Sequence, residues 1–424
     1  MIAHVSRWVL PVDKPTMDDG AVLVENGRIR AVGPADKILA NFPGTVVDHG
    51  QGAILPGLVN CHTHLEFSAL AGQVQPQKRW EDWLTAALAG FAALPSEEIE
   101  SGIGRGITQA WETGTALLGE VSNRGLSWPA LKQARLAYHL FYECLGFDLL
   151  NLGDLREAFP FFALPELEDT PYVSAAAHAP YSVSPALFRA VREWNAAGCR
   201  PQMVHVSESR AELAFLAHGD GFCRDLLKRR GRWVPNFQPP RQSPPAYLAS
   251  LGFLGPGTLA VHGVWLNAPD RRLLADSRTW LILCPRANAF TGAGQAPVPE
   301  LIAAAVPLAL GTDSLAGNWD LNLFGEMRWL REKFPDYPGD LWLRLGTGRG
   351  ARALGREADF GSLSPGKQAA LGFIPLTGKP DFWTDLYHSG AAGEFRWICE
   401  SGWGEGQGPE VPPLPPSPPP NPHK

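Results

Sequence analysis

Two histidines one residue apart, His62 and His64, stand at the end of the apolar stretch "AILPGLVN". Side chains at positions i and i+2 of a β-strand point to the same face. A strand here would therefore place the two imidazoles side by side, with Thr63 on the opposite face. Such a pair could form half of a metal site. It could also consist of ordinary polar residues at the edge of a core, and the rest of the chain has to distinguish these interpretations.

Further ionisable residues follow other apolar runs. His205 and Glu208 occur together in "HVSE", His262 in "VHGV", Asp313 in "GTDS" and His178 in "HAPYS". None of these short spacings is specific by itself. Their order along the chain is more informative, because each residue closes a separate strand-like run.

Three imidazoles and one carboxylate, from His62, His64, His205 and Asp313, are a suitable ligand set for one divalent metal ion. Zinc takes about four such ligands, and ferrous iron accepts the same types. A bound metal lowers the pKa of water from 15.7 to about 7, so hydroxide forms near neutral pH. A carboxylate close to such a hydroxide, such as Glu208, could carry protons during its attack on a substrate, and Asp313 could accept the proton of the attacking water.

The elements that would position these residues alternate between strand-like and helical patterns. Eight parallel strands alternating with helices predict an α/β fold, the (β/α)8 TIM barrel, in which the carboxyl ends of the strands form the active face. The predicted strands are 53–64, 114–122, 135–146, 172–182, 200–209, 258–266, 279–288 and 306–314.

The two ends of the chain predict a second, smaller unit. Residues 1–52 contain short strands, with a hairpin turn at Asn26-Gly27. Residues 356–400 are again strand-like and rich in turns, so both ends could build one small β-sandwich domain beside a barrel of residues 53–355. The Gly- and Pro-rich tail, 401–424, has too few apolar residues to offset its ordering entropy, and we predict that it is disordered.

Composition excludes several classes of protein. The chain has 424 residues, 45% of them hydrophobic, and a net charge of −6, which argues against binding nucleic acid or an anionic membrane. No apolar run is long enough to span a membrane. Six scattered cysteines suit reduced thiols in the cytoplasm. We therefore expect a cytoplasmic protein with a small-molecule substrate. The chain could also form a homodimer.

Several motifs together resemble the amidohydrolase superfamily, in its aminohydrolase branch of nucleobase and nucleoside deaminases and triazine hydrolases. The similar stretches are "LPGLVNCHTHLE", "HAPYSVSP", "HVSES", "VHGVWL", "LCPRAN" and "LGTDSLAGN". The resemblance extends over roughly residues 1–376, where "GSLSPGKQAAL" is similar to the family's return to its small β-domain.

The resemblance implies a role for each matching position. His62, His64 and His205 would be metal ligands, and Asp313 a ligand or a close partner of the metal. Glu208 would carry protons, His262 would orient the attacking water, and His178 would contact the substrate. No lysine that could bridge two metals stands at the end of the fourth strand, where His178 lies instead, and this favours a single ion.

The substrate is less well determined by these patterns. The "HTHLEFSA" turn, "GEVSN" and "FYECLGF" look most like aminofutalosine deaminases of the menaquinone route. That substrate has an adenine-type ring and a carboxylate, for which Arg241 and Arg286 are candidate ligands; Glu66 and Trp80 could contact its sugar or ring. The alternatives are deamination of methylthioadenosine, adenosylhomocysteine or guanine, hydrolysis of a triazine or cyclic amide, and a metal-binding barrel without catalysis.

Overall fold

The computed structural model describes residues 1–167 and 170–399. The predicted disorder of the tail, 401–424, concerns residues outside these ranges.

Fifteen strands are present in the described part of the chain. They are β1 (Ile2–Val9), β2 (Met17–Glu25), β3 (Arg28–Pro34), β4 (Thr45–Asp48), β5 (Gly52–Pro56), β6 (Leu58–Thr63), β7 (Thr115–Ser122), β8 (Ala137–Cys144), β9 (Val173–Ala177), β10 (Gln202–Val206), β11 (Thr258–His262), β12 (Trp280–Leu283), β13 (Leu308–Leu310), β14 (Leu371–Pro375) and β15 (Arg396–Trp397).

The described helices lie mainly between the strands β6 to β13 and after them. They are α1 (Ala35–Leu39), α2 (Trp80–Ala93), α3 (Ser96–Glu112), α4 (Trp128–Leu131), α5 (Pro185–Ala197), α6 (Arg210–His218), α7 (Phe222–Arg229), α8 (Pro244–Ser250), α9 (Ala268–Asp276), α10 (Pro285–Thr291), α11 (Val298–Ala303), α12 (Leu323–Lys333), α13 (Gly339–Leu345), α14 (Gly348–Ala353) and α15 (Phe382–Ala391). Short 3₁₀ helices occupy Leu65–Leu70, Leu155–Glu157, Pro160–Ala163 and Pro165–Leu167.

The predicted barrel is confirmed. Strands β6 to β13 form one sheet in sequence order, and every neighbouring pair within it is parallel. Nearly every residue of these strands is buried, as expected when helices cover the outer face of a parallel barrel and side chains fill its interior.

The first and last strands of this sheet meet at a seam. The carbonyl of His62 accepts hydrogen bonds from the amides of Thr312 (3.1 Å) and Asp313 (3.0 Å). Asn60 supports the same contact, because its side-chain amide donates to Thr312 Oγ1 (2.7 Å) and its Oδ1 accepts from the Thr312 amide (3.2 Å). The seam closes the barrel and brings Asp313 to the two adjacent histidines of β6.

The chain ends form a separate sheet, with the order β15-β14-β5-β1-β2-β3 and with β4 paired to β1. The predicted small β-domain built from both chain ends is thus confirmed, and β1 connects its parts, because it pairs with β4 through Ile2–Val5 and with β5 through Trp8 and Val9. The Asn26-Gly27 turn is present, with φ values of 49° and 70° at the two residues.

The first predicted strand, 53–64, is divided between the two sheets. Gly52–Pro56 pairs with β14 and β1, and Leu58–Thr63 enters the barrel. Gly57 lies at the division, where an added Cβ would be 2.5 Å from Ala116 and 2.8 Å from Trp397. The chain passes from one sheet to the other at a point that has room only for glycine.

In the described residues no helix combines the length and apolar character needed to cross a bilayer. Cys61, Cys144, Cys199, Cys223 and Cys284 are free thiols.

We expect Asn60→Leu to weaken the seam. The substitution keeps a similar volume but removes the hydrogen bonds to Thr312, so the free energy of unfolding should fall by about 1–3 kcal/mol, as measured by urea unfolding. Thr312→Val, which removes one hydroxyl only, should cost less. An unchanged midpoint for Asn60→Leu would show that the seam does not depend on this side chain.

Candidate metal centre and active site

The side chains at the carboxyl ends of β6, β10 and β13 converge on one point. His62 Nε2 and His64 Nε2 lie 3.7 and 3.8 Å from Asp313 Oδ1. His64 Nε2 lies 3.4 Å from His205 Nε2. All four side chains are buried. The structure thus brings the four proposed metal ligands together, although they are separated by up to 251 positions in the sequence.

The chemistry of this cluster fits a metal ion. The buried Nε2 atom of His62 has no hydrogen-bond partner. The donor atoms of His62, His64 and Asp313 lie within 4.8 Å of one another, and so do those of His62, His205 and His262. A buried nitrogen without a partner is costly unless something binds it. A divalent cation that takes imidazole and carboxylate ligands would satisfy these atoms together.

Neighbouring groups fix the orientation of the imidazoles. His205 Nδ1 donates to the backbone carbonyl of His178 (2.8 Å), which leaves its Nε2 as the atom that carries the lone pair. His62 Nδ1 is 3.2 Å from Met203 Sδ. Hydrogen bonding at the second ring nitrogen is the usual way in which proteins set the tautomer of a metal-binding histidine.

Burial also sets the protonation state of the cluster. It lowers the pKa of His64 to about 3, with nearby histidines adding to the effect, and it lowers the pKa of His62 and His205 in the same direction. Burial raises the pKa of Asp313 to about 6. The imidazoles are therefore neutral at pH 7, which is the form that binds a metal ion.

Glu208 and His262 form a second pair beside the cluster. His262 Nε2 lies 3.7 Å from Glu208 Oε1, and His262 Nδ1 is 2.9 Å from Asn288 Oδ1. Because Asn288 Oδ1 only accepts, Nδ1 must carry the hydrogen and Nε2 the lone pair. Burial raises the pKa of Glu208 to about 7, and the indole N–H of Trp80 partly offsets this rise. A carboxyl group with such a pKa can both give and take a proton near neutral pH.

Three residues of the site adopt the left-handed backbone conformation, which is uncommon for residues other than glycine. The φ angles are 51° for Ser207, 75° for His262 and 58° for Asp313. Such conformations cost free energy and are found mainly where surrounding contacts enforce them. Here Glu212 supports one of them by accepting the amides of Ser207 and Glu208. Ser207 and His262 lie at the ends of β10 and β11, and Asp313 lies three residues after the end of β13.

A cavity of about 120 Å³ opens onto these groups. One wall is apolar and comes largely from α2, whose residues at helical spacing face the cavity. Among the described residues that line it, none is Lys or Arg. The lining consists of His64, Phe67, Trp80, Trp83, Leu84, Ala87, Leu88, Asn123, Glu143, Leu145, His178, Tyr181, His205, Glu208, His262, Asp313 and Ser314.

Three residues proposed as substrate ligands do not line the cavity. Glu66 is fully buried, and its Oε1 accepts from the Ser122 hydroxyl and from the amides of Arg124 and Leu126, so it shapes the loop after β7. Arg241 is exposed, with a φ of 53°.

Arg286 has a structural role as well. Its guanidinium makes two hydrogen bonds to Asp320, at 2.7 and 2.8 Å, and lies 3.8 Å from the buried Glu326. His178, by contrast, lines the cavity and is held through its Nδ1 by the Ser182 hydroxyl (2.6 Å).

Asn123 and Glu143 are among the polar residues of the cavity that sequence reasoning missed. Both stand at the ends of strands that have no histidine at that position. The signal that could have found Glu143 is a carboxylate inside the apolar run "HLFYECLG", because a charged residue in a buried strand needs a partner or a function.

A (β/α)8 barrel with this cluster at its strand ends is typical of hydrolases that act on carbon–nitrogen bonds. The model of the amidohydrolase family matches residues 53–387, and the chain belongs to this family. A second, shorter match, over residues 20–44, is to an imidazolonepropionase-like composite domain of bacteria.

Relatives support this assignment. A 5-methylthioadenosine/S-adenosylhomocysteine deaminase of Syntrophobacter fumaroxidans is 30% identical over 383 residues, which cover 87% of this chain and 83% of the relative. An aminodeoxyfutalosine deaminase of Deinococcus radiodurans is 28% identical over 359 residues, covering 80% and 82%. The structure of a zinc-bound adenosine deaminase of Xanthomonas campestris aligns with a TM-score of 0.78 and 27% identity, covering 93% and 90%.

We expect His64→Ala to reduce the zinc bound per chain, because the variant loses one of the converging nitrogen atoms. Glu208→Gln should leave the zinc content unchanged, since Glu208 faces His262 instead of the ligand cluster. Equilibrium dialysis followed by elemental analysis measures both. Equal zinc loss in the two variants would contradict the assignment of His64 as a metal ligand and of Glu208 as a residue that does not bind the metal.

We expect Arg286→Met to act on stability and not on substrate binding. Without the guanidinium, Glu326 is buried with no countercharge, and the free energy of unfolding should fall by about 3–5 kcal/mol. The matched variant Arg328→Met breaks an exposed pair with Glu332 and should cost less than about 1 kcal/mol. A higher KM for Arg286→Met at unchanged stability would instead support a substrate role.

Proposed function

We propose that this protein is a hydrolytic deaminase of an adenine-type nucleoside. The observation that carries the proposal is the placement of Glu208 and His262 next to the four metal-binding side chains, inside one cavity. The relatives named above, which are deaminases of adenine nucleosides, support the same reaction class.

The reaction forms a carbon–oxygen bond from water and breaks the bond between the ring carbon and its amino group. A divalent metal held by His62, His64, His205 and Asp313 would supply a nucleophile at neutral pH by lowering the pKa of water. Asp313 can take the proton that the water loses. His262 can orient the water through the lone pair on Nε2.

Glu208 is suited to the remaining proton transfers. Its carboxyl protonates the ring nitrogen next to the amino-bearing carbon as the water adds. As the carbon–nitrogen bond breaks, Asp313 gives the first proton of the water to the amino group, which leaves as ammonia, and the remaining hydroxyl proton passes to Glu208 and restores its protonated form. A pKa of about 7 lets one group serve both steps. The buried setting of Glu208 and His262 keeps bulk water from competing for these protons.

The apolar wall determines which part of the substrate can lie opposite the metal centre. Phe67, Trp80 and Trp83 offer aromatic surface for a purine ring or for an aryl or alkyl group on C5′ of the sugar. We propose 6-amino-6-deoxyfutalosine as one candidate, which would give the protein a place in menaquinone biosynthesis, because its aryl group suits this wall.

One observation favours a second candidate. 6-Amino-6-deoxyfutalosine carries a carboxylate, whereas the described lining of the cavity contains neither Lys nor Arg. Arg241 and Arg286, the two arginines proposed to bind that carboxylate, lie outside the lining. An adenine nucleoside with an uncharged group on C5′, such as 5′-deoxyadenosine or 5′-methylthioadenosine, needs no such cation.

Zinc is the metal that we propose, with ferrous iron as the alternative. A cytoplasmic location and a homodimeric assembly stay predictions from the sequence.

The test is ammonia release by the metal-analysed protein from aminofutalosine, 5′-deoxyadenosine, 5′-methylthioadenosine, guanine and a triazine. We expect release from one or more of the three nucleosides. Glu208→Gln should reduce kcat by about 10²–10⁴-fold at unchanged metal content. Turnover of guanine or the triazine without turnover of any nucleoside would refute the proposal.

A further inference from the structure

Two buried oxygen atoms in the cavity have no hydrogen-bond partner and no role in the proposed chemistry. They are Oδ1 of Asn123, which directly follows β7, and Oε1 of Glu143 near the end of β8. A buried acceptor without a partner costs about 1–3 kcal/mol, and native proteins retain few of them. Two such atoms on neighbouring strands of a cavity indicate that a ligand supplies the missing donors.

Asn123 and Glu143 are held in place by their other contacts. Asn123 Nδ2 donates to Glu143 Oε2, which holds the two side chains together and leaves the other oxygen of each without a partner. His205 Nδ1 lies 3.4 Å from Glu143 Oε1 but donates to the carbonyl of His178 at 2.8 Å, in better geometry. Glu143 Oε1 therefore keeps its capacity to accept a hydrogen bond.

The position of the pair relative to the metal centre narrows the class of ligand. Glu143 faces Nδ1 of His205, whereas the converging ligands face Nε2 of the same ring. Glu143 also belongs to a group with His64 and His205 whose nitrogen and oxygen atoms lie within 4.8 Å of one another. The pair thus borders the ligand cluster on one side, where a substituent of the reacting ring would be found. The reacting ring itself must contact Glu208, His262 and Asp313.

We infer that Asn123 and Glu143 bind hydroxyl groups of the substrate sugar and so select a nucleoside over a free base. This inference rests on the proposed function. A sugar hydroxyl can donate to either oxygen and can also accept, so it pairs with Glu143 in both protonation states of that carboxyl. Neither the apolar wall nor the proton-transferring groups offer the sugar an equivalent pair of acceptors.

The experiment compares 5′-deoxyadenosine with its 2′-deoxy and 3′-deoxy forms, using the wild type, Glu143→Gln and Asn123→Ala. In the wild type, removal of the bound hydroxyl should lower kcat/KM by about 10- to 100-fold, mainly through KM. In the two variants, kcat/KM for 5′-deoxyadenosine should fall, and the ratio between it and the deoxy forms should approach one.

Glu326→Gln is the matched control, because it alters a buried carboxylate outside the cavity lining. It should change the thermal midpoint and leave the ratio between the substrates at the wild-type value. Zinc content is measured for every variant.

Each other outcome has a definite meaning. If Glu143→Gln lowers kcat equally on all three nucleosides, with loss of zinc and unchanged discrimination, Glu143 is only a positioning residue for His205 and the inference is overturned. A wild type that deaminates all three equally well overturns the inference and leaves the proposed function intact. A wild type that deaminates no adenine nucleoside overturns both.

Discussion

The barrel seam is the contact on which the site depends. One carbonyl, that of His62, accepts the amides of both Thr312 and Asp313 and so joins the first barrel strand to the segment after the last one. The residue that supplies this carbonyl also supplies an imidazole to the cluster, and one of the donors supplies its carboxylate. Closing the barrel and assembling the metal centre are therefore one structural event.

The electrostatics of the histidine and carboxylate cluster favours a bound cation. Several neutral imidazoles and buried carboxyl groups are packed where water has little access, and burial opposes charge on each of them. Such an assembly has many lone pairs and few donors. A bound cation would use these lone pairs, and it would in turn stabilise the ionised form of Asp313. The same burial raises the pKa of Glu208 to about 7, so one physical effect would serve both the proposed metal binding and the proposed proton transfer.

Polar and apolar groups line different sides of the cavity. Polar groups at the strand ends face the metal centre, an apolar face of α2 lies across from them, and Asn123 with Glu143 adds acceptors at one side. This arrangement suits a substrate that has a reactive heteroaromatic ring, a sugar with hydroxyl groups and an apolar group at the other end. The described lining contains no Lys or Arg side chain. The charge of the group at the apolar end of the substrate is therefore the main question for substrate choice.

Much of this arrangement could be predicted from the sequence, because it depends on local periodicity. Alternation along a strand placed His62 and His64 on one face, and the repeat of apolar runs and helices predicted the barrel, which the structure confirms. Once the order of strands is known, parallel geometry brings their carboxyl ends together. The convergence of His205, His262 and Asp313 with the first pair follows from that rule.

Only the tertiary structure decided which other residues join the site, because their partners are distant in the chain. Arg286 looked free to bind an anion, but Asp320 and Glu326, more than 30 positions away, occupy its guanidinium. Glu66 similarly serves the loop after β7. Glu143 looked like one more residue of a strand until Asn123, from the preceding strand, fixed one of its oxygens. Local patterns determine which elements form and which faces they present. The partner that a charged side chain finds depends on how those elements pack.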